Sequence, residues 1–304
     1  MSPPASDAPS FQRIAIVGFG LIGSSLGRAI KQHGLAGTLI AIDRDPAARA
    51  EIETLGLADE VTGDLVAGVA DADLVILATP VSTYAEIGQA MAPALKPGAI
   101  VSDVGSVKQV VLRDLAPVLP AHVHLVPGHP IAGTEKSGPG AGFASLFEGR
   151  WCILTPVSTT DRAAVAAVNG LWHAIGSDVV EMDADHHDKV LAITSHLPHL
   201  IAYTIVGTAV DLEEDLQSEV VKFSASGFRD FTRIAASDPT MWRDIFLNNR
   251  EAVLEMLQRL TEDLFALQRA IRWGEGDFLH ERFTRARHPA QRHRSQAGLA
   301  QLVI

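Results

Sequence analysis

The chain has 304 residues, 47% of them hydrophobic, and a formal net charge of −11 at pH 7. That length and apolar content suffice for two packed domains, while the acidic balance argues against nucleic acid or an anionic membrane surface as the main partner. The single cysteine, Cys152 in "WCILTP", excludes an intrachain disulfide, reads as a small core residue and fits a reducing compartment such as the cytoplasm.

Residues 1–12, opening "MSPPASDAPS", are polar and rich in Pro and Ser, and lack the basic and apolar regions of a signal peptide. Disorder is expected there. No apolar run is read as approaching the roughly 18 residues of a membrane span, so a soluble protein with no membrane partner is expected. From 13 to 182, β-branched runs alternate with helical ones: "RIAIVG", "GSSLGRAIKQHG", "LIAIDRD", "PAARAEIETLG", "DLVILATP", "TYAEIGQAMAPAL", "AIVSDVG", "VKQVVLRDLAPVL". Such alternation predicts an α/β domain with a mostly parallel, helix-covered sheet, which "HVHLVPG", "WCILTP" and "DVVEM" could extend. After Met182 the strand signals stop. Long helical stretches, notably Asp185 to Val210 and Thr240 to Ile271, predict an all-helical second domain over 183–280. The segment 281–304 clusters arginines and histidines without periodicity and reads as a solvated basic tail.

Chemistry enters first at "IVGFGLIGSSLG", where Gly18, Gly20 and Gly23 follow a strand and open a helix. Gly18 permits the tight turn, Gly20 lets a pyrophosphate approach the backbone, and Gly23 allows helix and strand to pack closely. Leu21 and Ile22 begin the helix whose free N–H groups would meet the phosphates. Asp43 lies twenty residues after Gly23, at the end of "LIAID", where a carboxylate binds ribose hydroxyls and repels a 2′-phosphate. This favours NAD in a Rossmann-like domain. Arg44 could hold a 2′-phosphate if it turned inward, which keeps NADP open.

Loops at the carboxyl ends of parallel strands line the cofactor crevice. This places Thr79 and Pro80 of "LATPVS" and Ser106 of "SDVGSVK" near the nicotinamide end. Ser106 would serve equally as the N-cap of the helix that follows. "HVHLVPGHP" reads as a further strand whose end delivers His129 to the same crevice, and a neutral histidine can accept the proton of an alcohol being oxidised. Arg229 and Arg233, four apart, share one helical face and suit a carboxylate or a surface ion-pair network. Asp188, His196 and His199 in "HHDKVLAITSHLPH" lack a recognisable zinc or di-metal spacing, so no metal is expected. Pro198 should kink that helix.

"VGFGLIGSSLG", "SDVGSVK", "GHPIAGTEKSGPGAGFASLFEGRWCILTP", "TSHLPH" and "GFRDFTRIAASDPTMWRDI", in this order, resemble the prephenate and arogenate dehydrogenases of tyrosine biosynthesis. The resemblance runs from about Ile14 to Ile271. It implies NAD-dependent oxidative decarboxylation of prephenate or L-arogenate, with a helical C-terminal domain that forms a homodimer. It also implies that His129 interacts with the ring hydroxyl, that Ser106 helps position it, and that Arg233 meets a substrate carboxylate beside an ionic network of Arg229 and Asp230. His199, Thr134 and Trp242 would complete the substrate pocket, with Asp188 in support and Glu135 and Lys136 in gating contacts. A separate regulatory module of the kind some relatives carry is not read in the sequence, so inhibition by tyrosine would act at or near the active site. Two alternatives stand beside this reading: a β-hydroxyacid dehydrogenase-like enzyme and a noncatalytic NAD sensor. Neither needs the combination of His129, Ser106 and Arg233.

Overall fold

The computed structural model describes residues 11–134, 136–212, 222 and 226–287. Strands β1 (Phe11–Val17), β2 (Ala36–Ile42), β3 (Glu60–Thr62), β4 (Leu74–Leu77), β5 (Ile100–Asp103) and β6 (His124–Val126) form a parallel sheet in the order β3-β2-β1-β4-β5-β6. Crossovers carry helices α1 (Leu21–His33), α2 (Pro46–Thr54), α3 (Leu65–Val69), α4 (Tyr84–Met91) and α5 (Gln109–Leu115). Alternate side chains of a strand point to opposite faces, and helices cover both faces of this sheet, so its central strands are apolar throughout. Ile14 and Ile16 join one core with Leu26, Ile30 and Trp172, while Ala15 and Val17 join the other with Tyr84, Val111 and Trp242. Chain order reverses between β1 and β4, which opens a crevice at their carboxyl ends.

The later strands do not extend this sheet. Beyond β6, Pro127 has no N–H to continue the ladder, and its carbonyl instead accepts the Thr155 N–H at 2.9 Å. The chain then enters a second sheet of β7 (Gly128–Pro130), β8 (Trp151–Leu154) and β9 (Asp178–Glu181), with β7 antiparallel and β9 parallel to β8. Helix α6 (Arg162–Ala174) joins β8 to β9, and Cys152 is fully buried where this sheet meets the first core. His129 therefore sits within a strand of the small sheet and not at the end of a strand of the large one.

Helices α7 (Ala184–Leu191), α8 (Leu197–Val210), α9 (Ser226–Ala235), α10 (Pro239–Asn248) and α11 (Arg250–Trp273) follow. A π-helical segment, Ala192–His196, joins α7 to α8 immediately before Pro198. Proline lacks an N–H and its ring presses on the carbonyl four residues back, and one wider turn absorbs both defects. The expected Pro198 kink is thus a π segment in a continuous helical run. That run, Ala184–Val210, is long and apolar enough by length and composition to cross a membrane, contrary to the expectation from sequence, because its leucines, isoleucines and valines outweigh its histidines. Thr240 to Ile271 is not one helix but two, broken at Asn249. Residues to Val253 form one compact unit and those from Leu254 another. At the ends, β1 already includes residues 11 and 12, where disorder was expected, and helix persists through residue 287 into the expected tail.

Candidate active site

The glycine loop has the geometry of a phosphate cradle. Gly18 has φ +87°, and a Cβ there would lie 2.7 Å from Thr79 Cγ2, which brings the loop after β4 against the loop after β1. A Cβ on Gly23 would overlap the Gly18 carbonyl oxygen, whereas one on Gly20, the N-cap of α1, would meet nothing within 4 Å. The space above Gly20 is open, and the first turn of α1, Leu21 and Ile22 included, faces it with unpaired N–H groups. Asp43 follows β2, and its carboxylate accepts the N–H groups of Phe19 at 2.9 Å and Asp45 at 3.0 Å. Those bonds hold it at the crevice, while Arg44 is exposed. Pro80 opens the turn after β4, where the Thr79 and Thr83 hydroxyls lie 2.9 Å apart. This chain's residues fit a dinucleotide.

Beside the crevice lies a buried polar chain. His129 Nδ1 is 2.8 Å from His187 Nε2, and His187 Nδ1 is 2.7 Å from Asp188 Oδ1. The Asp188 carboxylate also accepts the N–H groups of Lys108 at 2.8 Å and Gln109 at 2.9 Å. Asp188 thereby caps α5 from another helix, in place of the Ser106 cap that the sequence suggested. Ser106 is instead half-buried in the β5–α5 loop. Lys108, with 0% of its side chain exposed, forms an ion pair with the equally buried Asp103 and donates to the Gly128 carbonyl at 2.5 Å. Asp103 in turn accepts the N–H groups of Gly105 and Gly128. The pair thus clamps the Ser106 loop to the strand that carries His129.

Burial lowers the pKa of His129 well below its ordinary 6.5, and the neighbouring His187, Lys108 and His196 lower it further. His187 is lowered mainly by burial although Asp188 opposes the shift, and burial brings His196 down to about 4. All three rings are therefore neutral near pH 7. The unfolded chain binds protons on these histidines at higher pH than the folded chain does, so stability is full above pH 6.5 and declines as pH falls toward the folded values. The melting temperature should be level above neutrality and fall steadily from about pH 6.5 to about 4; scanning calorimetry across that range checks this, and a level profile down to pH 5 would contradict it.

A second cluster adjoins the first. His199 stacks on Trp242 with ring centroids 3.6 Å apart, and the positive charge of Arg233 lowers its pKa further after burial has done so. Trp242 is 6% exposed and packs in the core as well as against His199, and its indole nitrogen has no hydrogen-bond partner among the described residues. Ser82 donates to Asp244 at 2.6 Å, tying the loop after β4 to α10. Asn249, at the break before α11, donates to the Asp188 carbonyl at 2.8 Å and to His196 Nδ1 at 3.0 Å. His196 links the two clusters: it acts electrostatically on His129, its ring centroid lies 6.1 Å from that of Trp242, and Arg233 in turn acts on His199. Among the described residues, neither Arg229 nor Asp230 forms a salt bridge, so their expected ionic network is not seen; both are exposed on α9, as is Arg233. Thr134 is exposed and accepts the Lys136 N–H at 3.2 Å, while Glu135 lies outside the described residues.

Sequence reading missed Asp103, Lys108, His187 and Asn249. Asp103 and Lys108 stood in plain view in "SDVGSVK", and His187 adjoins Asp188 in "HHDK".

A nucleotide cradle at the β1–β4 switch point with a neutral buried histidine nearby defines an oxidoreductase of the dinucleotide-binding, helical-domain class. Residues 26–181 match the description "Prephenate dehydrogenase, nucleotide-binding domain", and residues 183–285 match "Prephenate dehydrogenase, dimerization domain". The cyclohexadienyl dehydrogenase of Zymomonas mobilis is 45% identical over 273 residues, spanning 90% of this chain and 93% of that protein. The prephenate dehydrogenase of A. aeolicus, solved with hydroxyphenyl propionate and NAD+, superposes with a TM-score of 0.85 at 35% identity over 92% of this chain and 98% of that one. The Synechocystis arogenate dehydrogenase gives 0.78 at 26% identity over 93% and 100%. The chain belongs to the prephenate dehydrogenase family.

Proposed function

We propose that this protein, as a homodimer in the cytoplasm, catalyses the NAD-dependent oxidative decarboxylation of prephenate to 4-hydroxyphenylpyruvate, of L-arogenate to L-tyrosine, or of both. The observation that carries the reading is His129, buried and neutral, with one ring nitrogen bonded to His187 and the other without a partner among the described residues, beside a nucleotide cradle. The relatives named above act on this substrate class.

Gly18, Gly20, Leu21, Ile22, Gly23, Asp43, Thr79 and Pro80 would hold NAD, and Asp43 disfavours the 2′-phosphate of NADP. Held there, NAD would supply the acceptor for the hydride of the ring carbinol carbon. As that hydride departs, His129 Nε2 accepts the hydroxyl proton; when carbon dioxide leaves and the ring becomes aromatic, the phenolic oxygen takes the proton back. No net proton is consumed. Ser106 orients the hydroxyl, Arg233 and His199 bind the side-chain carboxylate over the Trp242 face, and the family resemblance gives Thr134 a place in the substrate pocket and Glu135 a gating role. Tyrosine, which shares the side chain of arogenate and the aromatic ring of the product, would inhibit by competing in this pocket.

Purified protein should form NADH from NAD+ with prephenate, L-arogenate or both. Failure with both substrates, and with NADP+ in place of NAD+, would reject the reading.

A further inference from the structure

We infer that His187 is a positioning residue that fixes the tautomer of His129, with the proton on Nδ1 and the lone pair on Nε2; the use made of that lone pair rests on the function proposed above. The direction of the chain follows from its anchored end. A carboxylate only accepts hydrogen bonds, and both Asp188 oxygens already receive backbone N–H groups from Lys108 and Gln109. At 2.7 Å from Asp188 Oδ1, His187 Nδ1 must carry a proton, because a lone pair there would face a second lone pair. A neutral imidazole has one N–H, so His187 Nε2 is an acceptor. Across 2.8 Å, His129 Nδ1 must then donate, which leaves His129 Nε2 unprotonated.

That nitrogen is the available one. Among the described residues it has no hydrogen-bond partner, and it is not one of the enclosed polar atoms left without one, so part of its surface is accessible. Asp183 makes the geometry possible: its side chain accepts the N–H groups of Asp185 at 2.8 Å and His186 at 3.3 Å, starting α7 so that His187 and Asp188 turn inward. The groups that face His129 are His187 from α7, Lys108 from the segment entering α5 and His196 from the π segment. Of these, only His187 is hydrogen-bonded to the ring. As His129 takes up a proton, its Nδ1–H bond to His187 strengthens, so the same contact that sets the tautomer also stabilises the charged ring.

The test is nitrogen NMR of the full chain labelled with 15N-histidine, at about pH 7.5 where the rings are neutral, with the His129 signals assigned by their loss in His129→Asn. The expected spectrum shows His129 protonated on Nδ1 and bare on Nε2. In His187→Leu the Nε2–H form should appear, with kcat down about 10–100-fold and KM changed less than about threefold. His187→Gln can offer its carbonyl to His129 and its NH2 to Asp188; it should keep the wild-type tautomer and recover kcat to within about fivefold. The inference is overturned if wild-type His129 carries its proton on Nε2. It is also overturned if His187→Gln loses as much kcat as His187→Leu while both melt like the wild type. Because the spectra read the tautomer without substrate, a protein inactive on both dienyl acids but with the expected spectrum would reject the proposed reaction and leave the positioning role standing.

Discussion

His129→Asn is expected to lower kcat by about 10²–10⁴-fold with KM held within a few-fold, because asparagine can keep the bond that His129 Nδ1 makes to His187 but places no basic nitrogen where Nε2 meets the ring hydroxyl. The split between kcat and KM is the informative part. If His129 only bound substrate, its loss would raise KM and spare kcat. If it takes the proton as the hydride leaves, its contribution exists only in the transition state. The same argument fixes the pH profile of the wild type. Burial and the charge of Lys108 hold His129 well below 6.5, so the acid limb of kcat should lie below that pH and activity should be flat through neutrality. Steady-state kinetics of the wild type and His129→Asn on the better of the two dienyl acids check both points. A variant retaining more than about a tenth of kcat would remove His129 from proton transfer.

The parts of this site that could be read in the sequence are those in which a local pattern has one structural meaning. Gly18, Gly20 and Gly23 follow a β-branched run, and only a tight turn into a helix satisfies that spacing; Asp43 ends the next strand for the same topological reason. What could not be read depends on contacts between distant segments. Nothing local says that Asp188 caps α5, because the carboxylate and the two N–H groups it satisfies are 80 and 79 residues apart in the chain. Ser106, by contrast, stands where the sequence allows either an N-cap or a residue of the cofactor crevice, and the tertiary partner takes the cap. The small sheet was hidden for a related reason. "HVHLVPGHP" has the composition of one strand, but Pro127 divides it between two sheets, and strand composition carries no pairing partner. His187 had no periodic signature either: its function-bearing neighbour His129 is 58 residues away.

Lys108→Met is expected to destabilise the fold by about 3–5 kcal/mol, since it leaves Asp103 as an uncompensated buried charge. For a unit of this size that corresponds to a fall in Tm of roughly 6–20 °C. Lys96→Met gives the comparison. The Lys96–Asp73 pair is 2.6 Å apart with side chains 34% and 29% exposed, and pairs in contact with water contribute only about 0–1 kcal/mol. Thermal melts of both variants at neutral pH decide the matter, and equal, small shifts would mean that the buried pair adds no more than the exposed one. The pair also acts on the chemistry. Lys108 stands close enough to His129 to disfavour its protonation, so in a folded Lys108→Met protein the acid limb of kcat should move toward higher pH. Burial of Lys108 lowers its own pKa, while Asp103 opposes that shift. The lysine is ion-paired with the carboxylate that clamps the Ser106 loop, and its charge adds to burial in keeping the histidine neutral. Stability of the loop and readiness of the base thus depend on one ion pair, and a variant that recovered the melting temperature without restoring the acid limb would separate the two roles.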